Sequence, residues 1–188
     1  NVADRRRENK FRYWMKNKIG EPPVLYDPVF AKKSAVIMEN YLTNKGYFYA
    51  AVDFEKINEG RKEKKASLRF LVDLNARYQI DSIDFPEPKD PVSKIIHDNK
   101  NETVLDRGAP FDVALLKEER ERVAKDLRNR GYYFFNKEYL YFDLDSNDVT
   151  KKINIELGFE NPPDSSLHEL YYINNIYVFT DYSSDQFR

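Results

Sequence analysis

Few residues in this sequence have types and spacing that could carry chemistry. Asp143-x-Asp145-x-Asn147 matches the opening ligand positions of a calcium loop. Such a loop needs Gly at its sixth position for the sharp turn and a bidentate Glu at its twelfth. Those positions hold Asp148 and Asn154, so the run reads as a hairpin turn. The histidines, His97 and His168, share no metal-ligand spacing and sit among polar residues. The chain has 0 Cys, which excludes disulfides and thiolate zinc sites. It carries no Gly-x-Ser-x-Gly elbow, phosphate loop or dinucleotide fingerprint. Neither catalysis nor a cofactor is expected. What remains is charge and aromatic surface. Arg5-Arg6-Arg7 reads as a solvated helix start. Arg61, Lys62, Lys64 and Lys65 read as a solvated hairpin loop, with contact to anionic lipid headgroups or an acidic partner as the functional alternative. The clusters Tyr47-Phe48-Tyr49 and Tyr132-Tyr133-Phe134-Phe135 read as strand beginnings. At period two, about half of such rings must face outward, where a tyrosine row beside a sheet edge suits binding of an extended peptide.

Composition narrows the class. Lys plus Arg number 31 and Asp plus Glu 32, a net charge of −1 that argues against non-specific nucleic-acid binding. Aromatics make up 15%, which supplies the apolar area that disordered chains lack. No apolar run approaches the roughly 20 residues of a membrane helix.

The elements that would position these residues occur twice. Asn44-Lys45-Gly46-Tyr47-Phe48-Tyr49 is matched 85 residues later by Asn129-Arg130-Gly131-Tyr132-Tyr133-Phe134. The same offset pairs Leu42 with Leu127, Met38 with Val123 and Ala31 with Leu116. That is one buried face on each of two long helices. It also pairs Ala35 with Arg120, so the middle of the second stripe is polar or partly buried. Asp27 and Asp112 are the expected N-caps, and Gly46 and Gly131 the left-handed stops. A strand follows each stop. Phe48, Ala50, Val52 and Phe54 alternate with Tyr49, Ala51 and Asp53; Leu140, Phe142 and Leu144 alternate with Tyr139, Tyr141 and Asp143. Turns at Asn58-Glu59-Gly60 and Asp145-Ser146-Asn147-Asp148 lead to second strands, Leu68-Phe70-Val72-Leu74 and Ile153-Ile155-Leu157-Phe159. Shorter helices are expected over Phe11, Trp14, Met15 and Ile19 and over Val92, Ile95 and Ile96, and another strand over residues 78–85.

The result is an α+β chain of tandem β-α-α-β-β units, each a three-stranded sheet with two helices on one face. Residues 1–77 read as a unit lacking its first strand, and 78–162 as a complete unit. Residues 163–188 read as a linker and the first strand of a following unit, so the chain is expected to be cut from a longer array.

This order resembles tandem POTRA domains. Gly46-Tyr47-Phe48, Gly131-Tyr132-Tyr133, Gly108-Ala109-Pro110-Phe111-Asp112 and the Tyr-x-Ile openings at Tyr78 and Tyr171 carry the resemblance. Residues 20–27, Gly-Glu-Pro-Pro-Val-Leu-Tyr-Asp, more specifically resemble the TamA-like lipoproteins called TamL. The resemblance implies a non-catalytic periplasmic region of a BamA/TamA-family protein attached to the outer membrane of a Gram-negative bacterium, with a membrane β-barrel C-terminal to it. It implies as partners unfolded outer-membrane protein clients or other periplasmic assembly components. In that family the second strand is thought to be the binding edge. Here that strand is Phe48, Tyr49, Ala50, Ala51, Val52, Asp53 and Phe54 in the first unit, and Tyr139, Leu140, Tyr141, Phe142, Asp143 and Leu144 in the second. The rival readings are a scaffold that only spaces partners, and a KH-type nucleic-acid module, which the missing Gly-x-x-Gly clamp disfavours.

Overall fold

Three aspartates open the helices of this computed structural model, which describes residues 26–59, 65–163 and 167–178. Asp27 Oδ1 accepts the Val29 N–H (2.8 Å) at the start of α1, Pro28–Asn44. Asp90 and Ser93 form a reciprocal capping box on α2, Pro91–Asp98, with Pro91 at the first helical position. Asp112 accepts the Ala114 N–H (2.9 Å) on α3, Val113–Asn129. Each cap satisfies amides that no carbonyl of the helix can reach. The long helices stop at Gly46 (φ 87°) and Gly131 (φ 101°), which take the left-handed conformation that side-chain-bearing residues avoid.

The described residues form two compact units, 26–38 with 52–59 and 65–72, and 39–51 with 73–163 and 167–178. In the smaller unit, Ala31 and Ala35 are the buried residues of α1. Strands β1, Ala51–Glu59, and β2, Lys65–Asp73, pair in a two-stranded sheet. An Arg69–Glu55 ion pair (2.8 Å) and the Phe54 and Phe70 rings, 6.3 Å apart, join the strands.

The larger unit has the order β3 (Gln79–Asp84), α2, α3, β4 (Leu140–Asn147), β5 (Lys152–Phe159). The sheet order is β3-β5-β4, with β5 parallel to β3 and antiparallel to β4. The last strand therefore lies in the middle. Its alternate residues Ile153, Ile155 and Leu157 are all buried on one face. Val92 and Ile96 of α2 and Val123, Ala124 and Leu127 of α3 pack with Leu140 and Leu157. Tyr78, Ile80, Phe111 and Leu116 pack with Ile153 and Ile155. Both helices thus cover the same sheet face, and the unit has the expected α+β, β-α-α-β-β fold.

Several boundaries differ from the sequence reading. Phe48, Tyr49 and Ala50 precede β1, and residues 132–135 lie in a turn rather than a strand. The cause is the close stop of each helix: Tyr47 N–H bonds the Leu42 carbonyl and Tyr132 N–H the Leu127 carbonyl, both backward along the helix. Tyr139 ends a short 3-10 turn and β4 begins at Leu140. The β4–β5 turn falls later, after Asn147, whose side chain accepts the Val149 and Thr150 N–H groups. Asp143 and Asp145 are therefore strand residues, not members of an ion-binding loop. Residues 167–178, including most of the apolar segment expected to form a following strand, are in no strand. The helix expected over Phe11, Trp14, Met15 and Ile19, and Arg61, Lys62 and Lys64, lie outside the described residues; Lys65 opens β2.

Candidate partner-binding edge

β4 pairs with β5 on one side, and among the described residues its other side carries no strand. The register is continuous, from Leu140 opposite Phe159 to Asn147 opposite Lys152. Its phase follows from one bond: Glu160 N–H donates to the Tyr139 carbonyl (2.8 Å). In an antiparallel ladder, hydrogen-bonded and non-bonded pairs alternate. Tyr141, Asp143 and Asp145 consequently direct their backbone groups at β5. Leu140, Phe142 and Leu144 direct theirs at the open edge, a ready template for an added strand.

The side chains divide the other way, because they alternate between faces. Leu140 is buried and Phe142 half-buried on the helix side, while Leu144 is 45% exposed. Tyr141, Asp143 and Asp145 stand on the open sheet face. Tyr141 lies across Gly158, its partner in register; a Cβ on Gly158 would collide with the Tyr141 ring. The bare glycine lets the ring lie flat against the sheet. Beside it a carboxylate row crosses all three strands, since Asp84 and Asp143 both face Glu156 in register. Like charges in such positions repel, and on an open edge they oppose pairing between copies. A groove of about 620 Å³ at this end is lined by Phe85, Tyr141, Gly158 and Phe159, together with Asp84 and Glu156.

The residues expected to form the first unit's edge have separate settings. Ala51, Val52, Asp53 and Phe54 begin β1, with Val52 buried and Asp53 exposed. Phe48 instead packs against Tyr78 (4.8 Å between centroids) and Phe111 (5.5 Å). Tyr49 O–H donates to Asp148 Oδ2 (2.8 Å), and Tyr78 O–H donates to the other oxygen of that carboxylate. The two phenols, Tyr78 first, hold the Asp148 carboxyl below its usual range. The same bonds hold both phenol pKa values above theirs. Lys151 Nζ lies 5.1 Å and 5.3 Å from the centroids of the Tyr49 and Tyr78 rings. This polar knot joins residues distant in sequence, and no spacing pattern announces it.

Sequence reasoning also missed Glu119. The carboxylate is fully buried, pairs with Arg122 through two bonds (2.7 and 3.0 Å) and accepts the Val104 N–H (3.0 Å). It thereby pins the loop that leads to Phe111. Arg120, expected to be polar or partly buried, spans to the Lys137 carbonyl (2.7 Å) and Glu138 (3.1 Å). His168 packs between Phe135 (4.5 Å) and Tyr139 (4.8 Å) and donates Nε2–H to the Glu160 carbonyl (2.9 Å). No group of three or more His, Cys, Asp or Glu suited to a metal occurs among the described residues. No described helix is long and apolar enough to cross a membrane.

No protein-family model matches the chain, and no curated protein matches it. Similar solved structures include POTRA3-5 of Haemophilus influenzae BamA, at 18% identity and a TM-score of 0.44 over 68% of this chain and 48% of that one. A second is Haemophilus ducreyi BamA lacking POTRA domains 1-3, at 16% identity and 0.43, over 81% and 27%. A third is POTRA1-3 of the periplasmic domain of Omp85 from Anabaena, at 12% identity and 0.34, over 79% and 54%. The chain spans about half or less of the first two of these.

Proposed function

We propose that this chain is a periplasmic POTRA region of an outer-membrane protein assembly or translocation factor of the BamA/TamA family, TamL-like over residues 20–27. It holds extended client or partner segments by adding them to β4. The barrel it serves lies C-terminal to it in the same polypeptide. The observation that carries the reading is the open side of β4, where Leu140, Phe142 and Leu144 present unpaired backbone groups on a sheet whose other face is covered by helices. Main-chain pairing recognises an extended strand with little regard for its sequence, as an assembly factor requires. Tyr141, Asp143 and Leu144 border the captured strand and bias it toward alternating apolar and polar residues, the pattern of a membrane-barrel strand. The helix stops at Gly46 and Gly131 and the β-α-α-β-β order support the family assignment.

The test is a proline at an outward-facing position. Leu144→Pro removes an N–H that points at the open edge and leaves the β4–β5 bonds in place, the setting in which edge strands tolerate proline. Binding of a fluorescent ten-residue peptide with barrel-strand alternation is read by anisotropy. Loss of binding with an unchanged circular dichroism spectrum is the expected result. Retained affinity in the folded variant refutes strand addition at β4 and favours a scaffold that spaces other assembly components.

A further inference from the structure

The aromatic run after Gly131 helps to build a cavity. Tyr132 N–H reaches back to the Leu127 carbonyl (3.1 Å) and Phe135 N–H to the Tyr132 carbonyl (2.9 Å), so the run turns instead of extending. Its rings therefore fan out: Tyr132 and Phe135 are buried and Phe134 is 68% exposed. The chain returns to this turn at residues 168–171. His168 is tied to the Glu160 carbonyl (2.9 Å), and Tyr171 N–H to the Gly131 carbonyl (2.8 Å). The turn and the returning segment together line a cavity of about 320 Å³. Phe135 and Tyr139 flank His168 in its lining (4.5 and 4.8 Å), and Phe134 meets Tyr171 edge to face (5.1 Å). The polar groups of the lining can all accept a hydrogen bond. Glu169 takes the Tyr171 O–H on one carboxylate oxygen (2.7 Å), and the other oxygen has no bond among the described residues. His168 donates through Nε2, which leaves Nδ1 an acceptor. Tyr132 is 6% exposed, yet its hydroxyl makes no hydrogen bond among the described residues. No buried side-chain oxygen lacks a partner, so that hydroxyl belongs to the small accessible part of Tyr132. No Lys or Arg lines the cavity. The neighbouring cations are engaged elsewhere: Arg128 with the Phe135 carbonyl (3.3 Å), Arg130 with Asp126 (3.0 Å) and Lys137 with Glu121.

We propose that this cavity takes the guanidinium of an arginine side chain presented by a partner protein. Aromatic faces attract a cation. A guanidinium is also planar, stacks on rings and donates hydrogen bonds within its plane. The lining offers both halves of that match: rings from the turn and the returning segment, and acceptors at Glu169, His168 and Tyr132 with no cation of the chain's own to satisfy them. The volume lies at the low end of the range usual for ligand sites, about 300–1,000 Å³, which suits one side chain and its neighbours. The site is independent of whether β4 binds a strand.

The test is a titration of the 188-residue chain with an acetylated and amidated Gly-Ser-Arg-Ser-Gly peptide and with its citrulline counterpart, which keeps the shape and loses the charge. Ring-proton shifts of Phe134 and Tyr139 are followed by NMR. The arginine peptide is expected to move both signals saturably, and the citrulline peptide to bind at least about tenfold more weakly. Phe134→Leu, at an exposed position and read at Tyr139, and Glu169→Gln, which keeps the shape of the side chain, are each expected to weaken arginine binding by at least about threefold with an unchanged circular dichroism spectrum. Glycine and serine around one arginine have no strand alternation, so the result does not depend on the open edge of β4. Absence of a saturable shift, equal affinities for the two peptides, or unchanged affinity in either variant overturns the proposal.

Discussion

Replacing Glu119 by Ala gives the sharpest energetic test of how this unit is held together. Glu119 is fully buried and its carboxylate makes two bonds to Arg122 and one to the Val104 N–H. Removing one partner of a buried ion pair costs about 3–5 kcal/mol, because the other charge stays behind. Arg122 keeps some relief: its side chain is 18% exposed, and Glu102 lies 3.9 Å away. The stranded Val104 amide adds to the loss. The expected total sits at the lower end, about 3 kcal/mol. With a urea m-value of about 1.5–2 kcal/mol/M, the unfolding midpoint falls by about 1.5–2 M. Glu119→Gln keeps an acceptor for Val104 and loses only the charge, so about half that shift is expected. The double variant Glu119→Met with Arg122→Leu recovers most of the stability, since neither charge is then buried alone. Urea titrations followed by circular dichroism decide it. A Glu119→Ala midpoint within about 0.3 M of the parent refutes the reasoning, because an isolated guanidinium at that site would then carry no penalty.

Gly158→Ala places a methyl group where the Tyr141 ring lies, so the ring swings off the sheet face. The cost is about 1 kcal/mol, visible as a small fall in melting temperature, and the Tyr141 ring-proton shifts move toward solvent values in NMR spectra; unchanged shifts would contradict the packing. Acid should loosen the fold by a definite route. Asp148 is held below its usual pKa by Tyr78 and then Tyr49, Asp81 by Lys152 and Glu121 by Lys137. Asp112 is also lowered: burial works to raise it, but Lys45 and the Ala114 N–H outweigh that. A carboxyl whose folded pKa lies below its unfolded value contributes stability that is whole above the unfolded pKa, about 4, and is lost as pH falls through the folded value. Stability measured by urea at stepped pH should be flat from pH 7 to about 5 and fall below about 4. Asp148→Asn should flatten part of that fall, and an identical profile in that variant would remove Asp148 from the account.

Much of the larger unit is legible in the residues because its signals are local. A cap aspartate, a stop glycine and an alternating run each act within a few positions. Asp112, Gly131 and the row Ile153, Ile155, Leu157 therefore identify α3, its end and β5 from the chain alone. The 85-residue offset extends that legibility to the helix stops, where Gly46 and Gly131 are followed by the same backward bond from Tyr47 and Tyr132. Phe48 and Tyr132 lie in turns and not at strand beginnings, because aromatic runs suit strands and tight turns equally and the backward bonds from Tyr47 and Tyr132 decide between them. The candidate edge is legible as a strand from its alternation, while its place at an edge follows from the family resemblance and not from the residue pattern. Side-chain alternation says which residues share a face, while strand order depends on which segments find each other in space. β5 lies between β3 and β4 and carries the longest buried row of the sheet, Ile153, Ile155 and Leu157. That order leaves β4 at an edge among the described residues. Glu119 with Arg122, Asp148 with its two tyrosines, and Gly158 beneath Tyr141 likewise belong to tertiary structure alone. Each joins groups that only folding brings together, and a carboxylate or glycine in a sequence looks the same whether it is buried and paired or left in water.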